Sequence, residues 1–92
     1  LNNENPYAFF SRAIVYAEQN KLDSALADLN SVLTIDPNNS LTYFRRALIY
    51  SDQKKIDKAL DDYNRVAEIN PNNLMVFFNR GNIYLQKKDY KN

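Results

Sequence analysis

The sequence predicts an all-α fold: antiparallel helical hairpins stacked one upon the next, about two and a half hairpins and five helices in 92 residues. Three observations carry this. The stretches TIDPNNSLTYF (34–44) and EINPNNLMVFF (68–78) nearly repeat each other, with Pro71 standing 71 − 37 = 34 residues after Pro37. Aligning 6–39 with 40–73 gives 16 identical pairs in 34, where chance gives about two or three, and a fixed period of this size marks a repeat architecture. Within each copy, apolar residues recur at helical spacing.

The elements follow in order. A first helix is expected over 6–19. Pro6 suits its opening turn, where the missing N–H is not needed, and Phe9, Ala13 and Tyr16 fall at i, i+4, i+7 on one face. Polar Gln19, Asn20 and Lys21 separate it from a second helix over 23–35, whose apolar stripe is Leu22, Ala25, Leu26, Leu29, Val32 and Leu33. Asp36-Pro37-Asn38-Asn39 then stops the chain, because proline cannot continue a helix. The plan recurs with helices over 40–53 and 57–69. A third copy opens with a helix over 74–87, in which Phe78, Arg80 and Tyr84 keep the register. The whole of 1–92 reads as one domain fragment with repeats at 6–39, 40–73 and, in part, 74–92. Small residues account for close packing: Ala13, Ala47 and Gly81 precede Tyr16, Tyr50 and Tyr84 by one turn, and Ala25 and Ala59 sit early in the second helices. Helices crossing at such positions approach the short end of the about 8–10 Å range, and Phe9, Tyr16 and Tyr43 fill the space alongside.

Composition narrows the function. Twelve basic and 11 acidic residues leave a net charge of +1, against the basic excess of a nucleic-acid binder. No run approaches the roughly 18 apolar residues of a membrane span, and no basic-then-apolar start reads as a signal peptide. The chain begins at Leu1, so the true N-terminus is expected outside it, with the cytoplasm as the default compartment. Cysteine and histidine are both absent, which removes disulfides, the commonest metal ligand and the commonest general base. With no nucleophile–base pair, metal spacing or nucleotide motif, the expectation is a non-enzyme with no catalytic residue, no metal, no cofactor and no small-molecule substrate. Richness in Asn, Lys and Ile suggests an AT-rich bacterial genome.

A 34-residue helix–turn–helix carrying aromatic, small, Tyr, Ala and Pro at these spacings resembles the tetratricopeptide repeat. The resemblance spans two full repeats and the first helix of a third, and implies a right-handed superhelix. The sequence departs from the pattern at several points. Phe9, Tyr43 and Phe77 replace the usual tryptophan. Arg12, Arg46 and Arg80 stand where leucine is usual. Val32 and Val66 replace a late small residue. Asn20, Lys54 and Lys88 replace the inter-helix glycine, and of these only asparagine tolerates a left-handed backbone readily.

The resemblance implies that the first helices line a concave surface. The residues expected to face it are Phe10, Phe44 and Phe78, flanked by Ile14 and Leu48, with Tyr7, Leu41 and Met75 nearer the helix starts and Arg45 and Asn79 as polar contacts. Three half-exposed aromatics show on the order of 300 Å² of apolar surface, the size at which a patch suggests binding; equally, such a column packs against the next repeat. Arg12 with Asp28, and Arg46 with Asp62, are expected to be structural ion pairs across each hairpin rather than a basic stripe for a ligand. Some tetratricopeptide domains grip the acidic C-terminal tails of heat-shock chaperones with a clamp of Lys, Asn, Asn, Lys and Arg. The matching positions here are Phe10, Ile14, Arg45, Met75 and Asn79, so that clamp is not expected and an apolar groove is. Asp61-Asp62 is no carboxylate pair, since neighbours on a helix point about 100° apart, and Lys54-Lys55 and Lys87-Lys88 read as solvated turn charge.

The expected function is therefore a protein-interaction module that takes a peptide or helix of a partner into the apolar groove, with no nucleic acid and no membrane span involved. The alternative is a structural slice of a longer scaffold, its groove filled by the parent chain or by self-association. The third helix without its second leaves Ile83, Tyr84 and Leu85 poorly covered, which predicts fraying or a homodimer through that end.

Overall fold

A computed structural model describes residues 5–72 and 79–82. Four helices run in order: α1 (Pro6–Glu18), α2 (Leu22–Ile35), α3 (Ser40–Asp52) and α4 (Ile56–Ile69). Residues 79–82 are helical and belong to a fifth. No strand occurs among the described residues. α1 packs on α2 and α3 on α4 as antiparallel hairpins, with α2 against α3 joining them in a right-handed stack.

The helix ends have local causes. Asn5 caps α1, its side chain accepting from Tyr7 N–H at 2.9 Å, with Pro6 in the first turn. Asn39 caps α3 by accepting from Thr42 N–H at 3.0 Å. α2 and α4 start at Leu22 and Ile56, one residue before the predicted 23 and 57, after Lys21 and Lys55 in matching conformations (φ −92°, ψ 72°). α1 and α3 stop one residue short of the predicted 19 and 53, because Gln19 and Gln53 are C-caps. Beyond them the backbone turns left-handed at Asn20 (φ 60°) and also at Lys54 (φ 64°). Asparagine tolerates this conformation readily and lysine does not, yet both adopt it: the 34-residue plan imposes the conformation at either position. It costs a non-glycine residue about 1–2 kcal/mol.

Two apolar clusters form the core. Ala13, Ala25 and Leu29 meet Ile49 between α1, α2 and α3. Ala47, Ile56, Ala59, Leu60, Tyr63 and Val66 fill α3–α4. Ala25, Ala47 and Ala59 are wholly buried, which lets each hairpin close tightly. Full burial of Leu29 or Val66 stabilises the fold by about 1.5–3 kcal/mol. Gly81 does not share this role: a Cβ added there would meet open space, since no second helix packs on it among the described residues. Phe9 and Tyr43 are half-buried, and arginines lie over their rings. The Arg12 guanidinium lies 5.9 Å from the Phe9 ring centre, and those of Arg46 and Arg65 lie 5.5 and 5.7 Å from Tyr43. The largest buried side chain is instead Tyr63, in edge-to-face contact with Phe44 at 5.8 Å. The third-repeat helix expected over 74–87, and with it Ile83, Tyr84 and Leu85, lies largely outside the described residues.

Candidate functional site

Arginine geometry sets the frame of the site. Arg12 Nε and Nη2 donate to the two carboxylate oxygens of Asp28, both at 2.8 Å. Arg46 does the same to Asp62 at 2.7 and 2.8 Å, and its Nη1 donates to Asn30 Oδ1 at 2.7 Å. Arg46 thus binds its own hairpin by one edge and the preceding hairpin by the other. Arg80 Nη1 repeats the second bond, to Asn64 Oδ1 at 2.8 Å. The carboxylates are nearly excluded from water, their side chains 6% exposed, so each needs its partner. The hydrogen bond to Asp62 raises the Arg46 pKa above the usual guanidinium range. Arg12 and Arg46 are therefore each held by a carboxylate of their own hairpin. The Asp36–Asn39 turn is tied down as well: Pro37 C=O accepts from Tyr43 OH at 2.9 Å, and Asn38 Oδ1 from Arg65 at 3.0 Å.

What remains open is the face that α1 and α3 present, where the described residues line two cavities. One, of about 240 Å³, lies at the helix starts among Pro6, Tyr7, Phe10, Asp36, Asn39 and Leu41. Tyr7 and Leu41 are 80% and 54% exposed there. The other, of about 270 Å³, lies toward the helix ends, with Ala13, Ile14, Ala17, Leu22, Leu29, Leu48 and Ile49 as apolar wall and Glu18, Asn20, Arg45 and Asp52 at its polar edge.

The predicted binding residues divide between these places. Tyr7, Phe10 and Leu41 share the first cavity, and Ile14, Arg45 and Leu48 share the second. Phe44 lines neither; it is half-buried on the α3–α4 core. Phe10 is half-buried on the α1–α2 core as well as lining its cavity. Asn79 is half-buried in the helical residues 79–82, whereas Met75 and Phe78 lie outside the described residues. Sequence reasoning missed Glu18 and Asp52. Their signal was available: they are 34 residues apart, the same repeat position, and both acidic. Asn30 and Asn64, also 34 apart, were missed in the frame.

Two family models match the chain: "Tetratricopeptide repeat" over residues 40–73 and "TPR repeat" over residues 14–54. Among solved structures, the first TPR of Spaghetti (RPAP3) bound to the HSP90 peptide SRMEEVD superposes at TM-score 0.88 with 26% identity, over 95% of this chain and 69% of that one. The first TPR domain of human RPAP3 gives 0.86 and 27%, over 99% and 73%. YrrB, a TPR protein with an unusual peptide-binding site, gives 0.85 and 20%, over 98% and 46%, and shows likeness of fold alone. A search of curated proteins finds no match.

Proposed function

The chain belongs to the tetratricopeptide repeat family, and we propose that it is a protein-interaction module whose α1–α3 face receives an extended peptide or helix of a partner protein. The observation that carries this reading is the pair of cavities along one face. Tyr7, Leu41 and Ile14 in their walls belong to neither core cluster, and Leu48 joins them from the edge of the α3–α4 core. The Spaghetti domain, solved with its HSP90 peptide, supports it. The HSP90 ligand itself does not carry over. Phe10, Ile14 and Met75 stand at the positions expected of Lys, Asn and Lys in a clamp, and an acidic peptide in the second cavity would meet Glu18 and Asp52. Apolar contact then supplies affinity, and Arg45 orients the ligand.

The test is selection of peptides from a random display library, with the winning peptide mapped onto the isotope-labelled domain by amide chemical shifts. Shifts clustered on Tyr7, Ile14, Leu41, Arg45 and Leu48 are the expected result. Shifts confined to exposed residues of α2 and α4, such as Ala27 and Asp61, would refute the reading. The alternative that another segment of the parent protein occupies the face is tested separately: with that segment joined to the domain, the selected peptide would no longer shift these amides.

A further inference from the structure

We infer that the second cavity takes a lysine or arginine side chain of the bound partner, a preference that rests on the reading of the α1–α3 face as a peptide site. The argument starts from its shape. The cavity has about 270 Å³ and a wall built from Ile14, Ala17 and Leu48, fitting the methylene stem of a long side chain. Its charged edge is unequal. Glu18 and Asp52 stand against a single cation, Arg45. Those two acids are the last residues of α1 and α3, and neither helix has a basic residue in its last turn. Two helix C-termini, each the negative end of a helix dipole, therefore reinforce the carboxylates. Glu18 and Asp52 form no ion pair among the described residues, so a cation entering this end displaces no existing partner. Arg45 lies seven residues before Asp52, about 10 Å along the axis, which is enough to keep its charge from the entering head group and to meet a carboxylate elsewhere on the peptide. The groove is thus polarised: aromatic and apolar at Tyr7 and Leu41, cationic at Arg45, anionic at Glu18 and Asp52. An acidic tail is the wrong complement for that last segment; an aliphatic stem with a cationic head is the right one.

The experiment is positional sequencing of random 12-residue peptides displayed on phage and selected on three forms of the domain. These are wild type, Glu18→Gln with Asp52→Asn, and Leu48→Asp as a groove-blocked control, each checked for helicity. The wild type is expected to enrich Lys or Arg at one fixed position relative to the apolar anchors. That enrichment should vanish in the amide variant, with a synthetic wild-type winner binding it about tenfold more weakly. Peptides that need Leu48 but show no basic enrichment, or show acidic enrichment, would overturn the inference and leave the peptide site standing. Failure to select any peptide sensitive to Leu48→Asp would overturn both.

Discussion

Replacing Arg46 with leucine should cost far more than a surface charge is worth. Arg46 makes two short charge-assisted bonds to a carboxylate whose side chain is only 6% exposed, while its own is 21% exposed. Exposed ion pairs contribute about 0.2–1 kcal/mol. Removing one member of a buried pair costs about 3–5 kcal/mol, because the other charge is stranded. The partial wetness of Arg46 places the expectation near the lower end, about 3 kcal/mol. A domain of this size has about 5–14 kcal/mol in total, and at about 4–8 °C per kcal/mol the midpoint should fall by roughly 12–24 °C. The double variant Arg46→Leu, Asp62→Leu removes the stranded carboxylate and should return to within about 1–2 kcal/mol of wild type; the deficit is the lost bond to Asn30. The assay is thermal and urea unfolding followed by circular dichroism at helical wavelengths. A single variant costing under about 1 kcal/mol, or a double variant no better than the single, would refute the view that desolvated Asp62 dominates.

Four further outcomes can be measured on the same preparation. Lys54→Gly relieves a left-handed residue (φ 64°) and should stabilise by about 0.5–1 kcal/mol after glycine's extra chain entropy is deducted; the urea midpoint should rise at unchanged slope. Thr42 is fully buried and its hydroxyl finds no hydrogen-bond partner, so Thr42→Val should gain about 1 kcal/mol in that assay. Asn30→Ala cuts the bond that joins α2 to Arg46, and should widen the difference in amide-exchange free energy between the two hairpins by about 0.5–1 kcal/mol. Burial, helped by the charge of Asp52, pushes the Tyr63 hydroxyl up from 10.0 to about 12. The unfolded chain therefore loses this proton first. Stability from this group is intact below pH 10 and lost toward pH 12, with a slope approaching about 1.4 kcal/mol per pH unit relative to Tyr63→Phe.

Much of the fold was legible because it is written twice. Helix positions came within one residue at each end, since periodicity, Pro37 and the Asp36–Asn39 turn act locally. What escaped were consequences of neighbouring elements. Tyr43 carries Arg65 of α4 on its ring as well as Arg46 of its own helix, a contact across the hairpin that spacing along one helix does not display. The left-handed Lys54 follows from a hairpin geometry stronger than the residue's own preference. Asn30 looked like one more polar residue on α2, and only the stack of hairpins brings it to Arg46. On the candidate site, the resemblance to the repeat family implied that Ile14, Leu48, Tyr7 and Leu41 share one face. It did not tell which aromatics of that face the core would claim, because Phe44 turns toward Tyr63, a residue whose counterpart in the first hairpin is Leu29.

Comparison between the repeats separates frame from function. Arg12/Arg46, Ala13/Ala47, Ala25/Ala59, Asp28/Asp62 and Val32/Val66 are identical in both copies, and each is buried or held in a bond within its hairpin. Phe10 and Phe44 are identical too, and both pack on the cores, which places them with the frame as much as with the face. Several cavity-lining positions differ between the copies: Tyr7 against Leu41, Ile14 against Leu48, and Arg45, whose counterpart Ser11 lines neither cavity. A stacking surface must match itself at every step, so its residues repeat. A surface that meets a non-repeating ligand gains nothing from such identity, and there the copies diverge. Glu18 and Asp52 stand between these cases, differing in length but not in charge. Neither makes a side-chain ion pair among the described residues, which is in keeping with the role proposed for their shared charge at the open end of the groove.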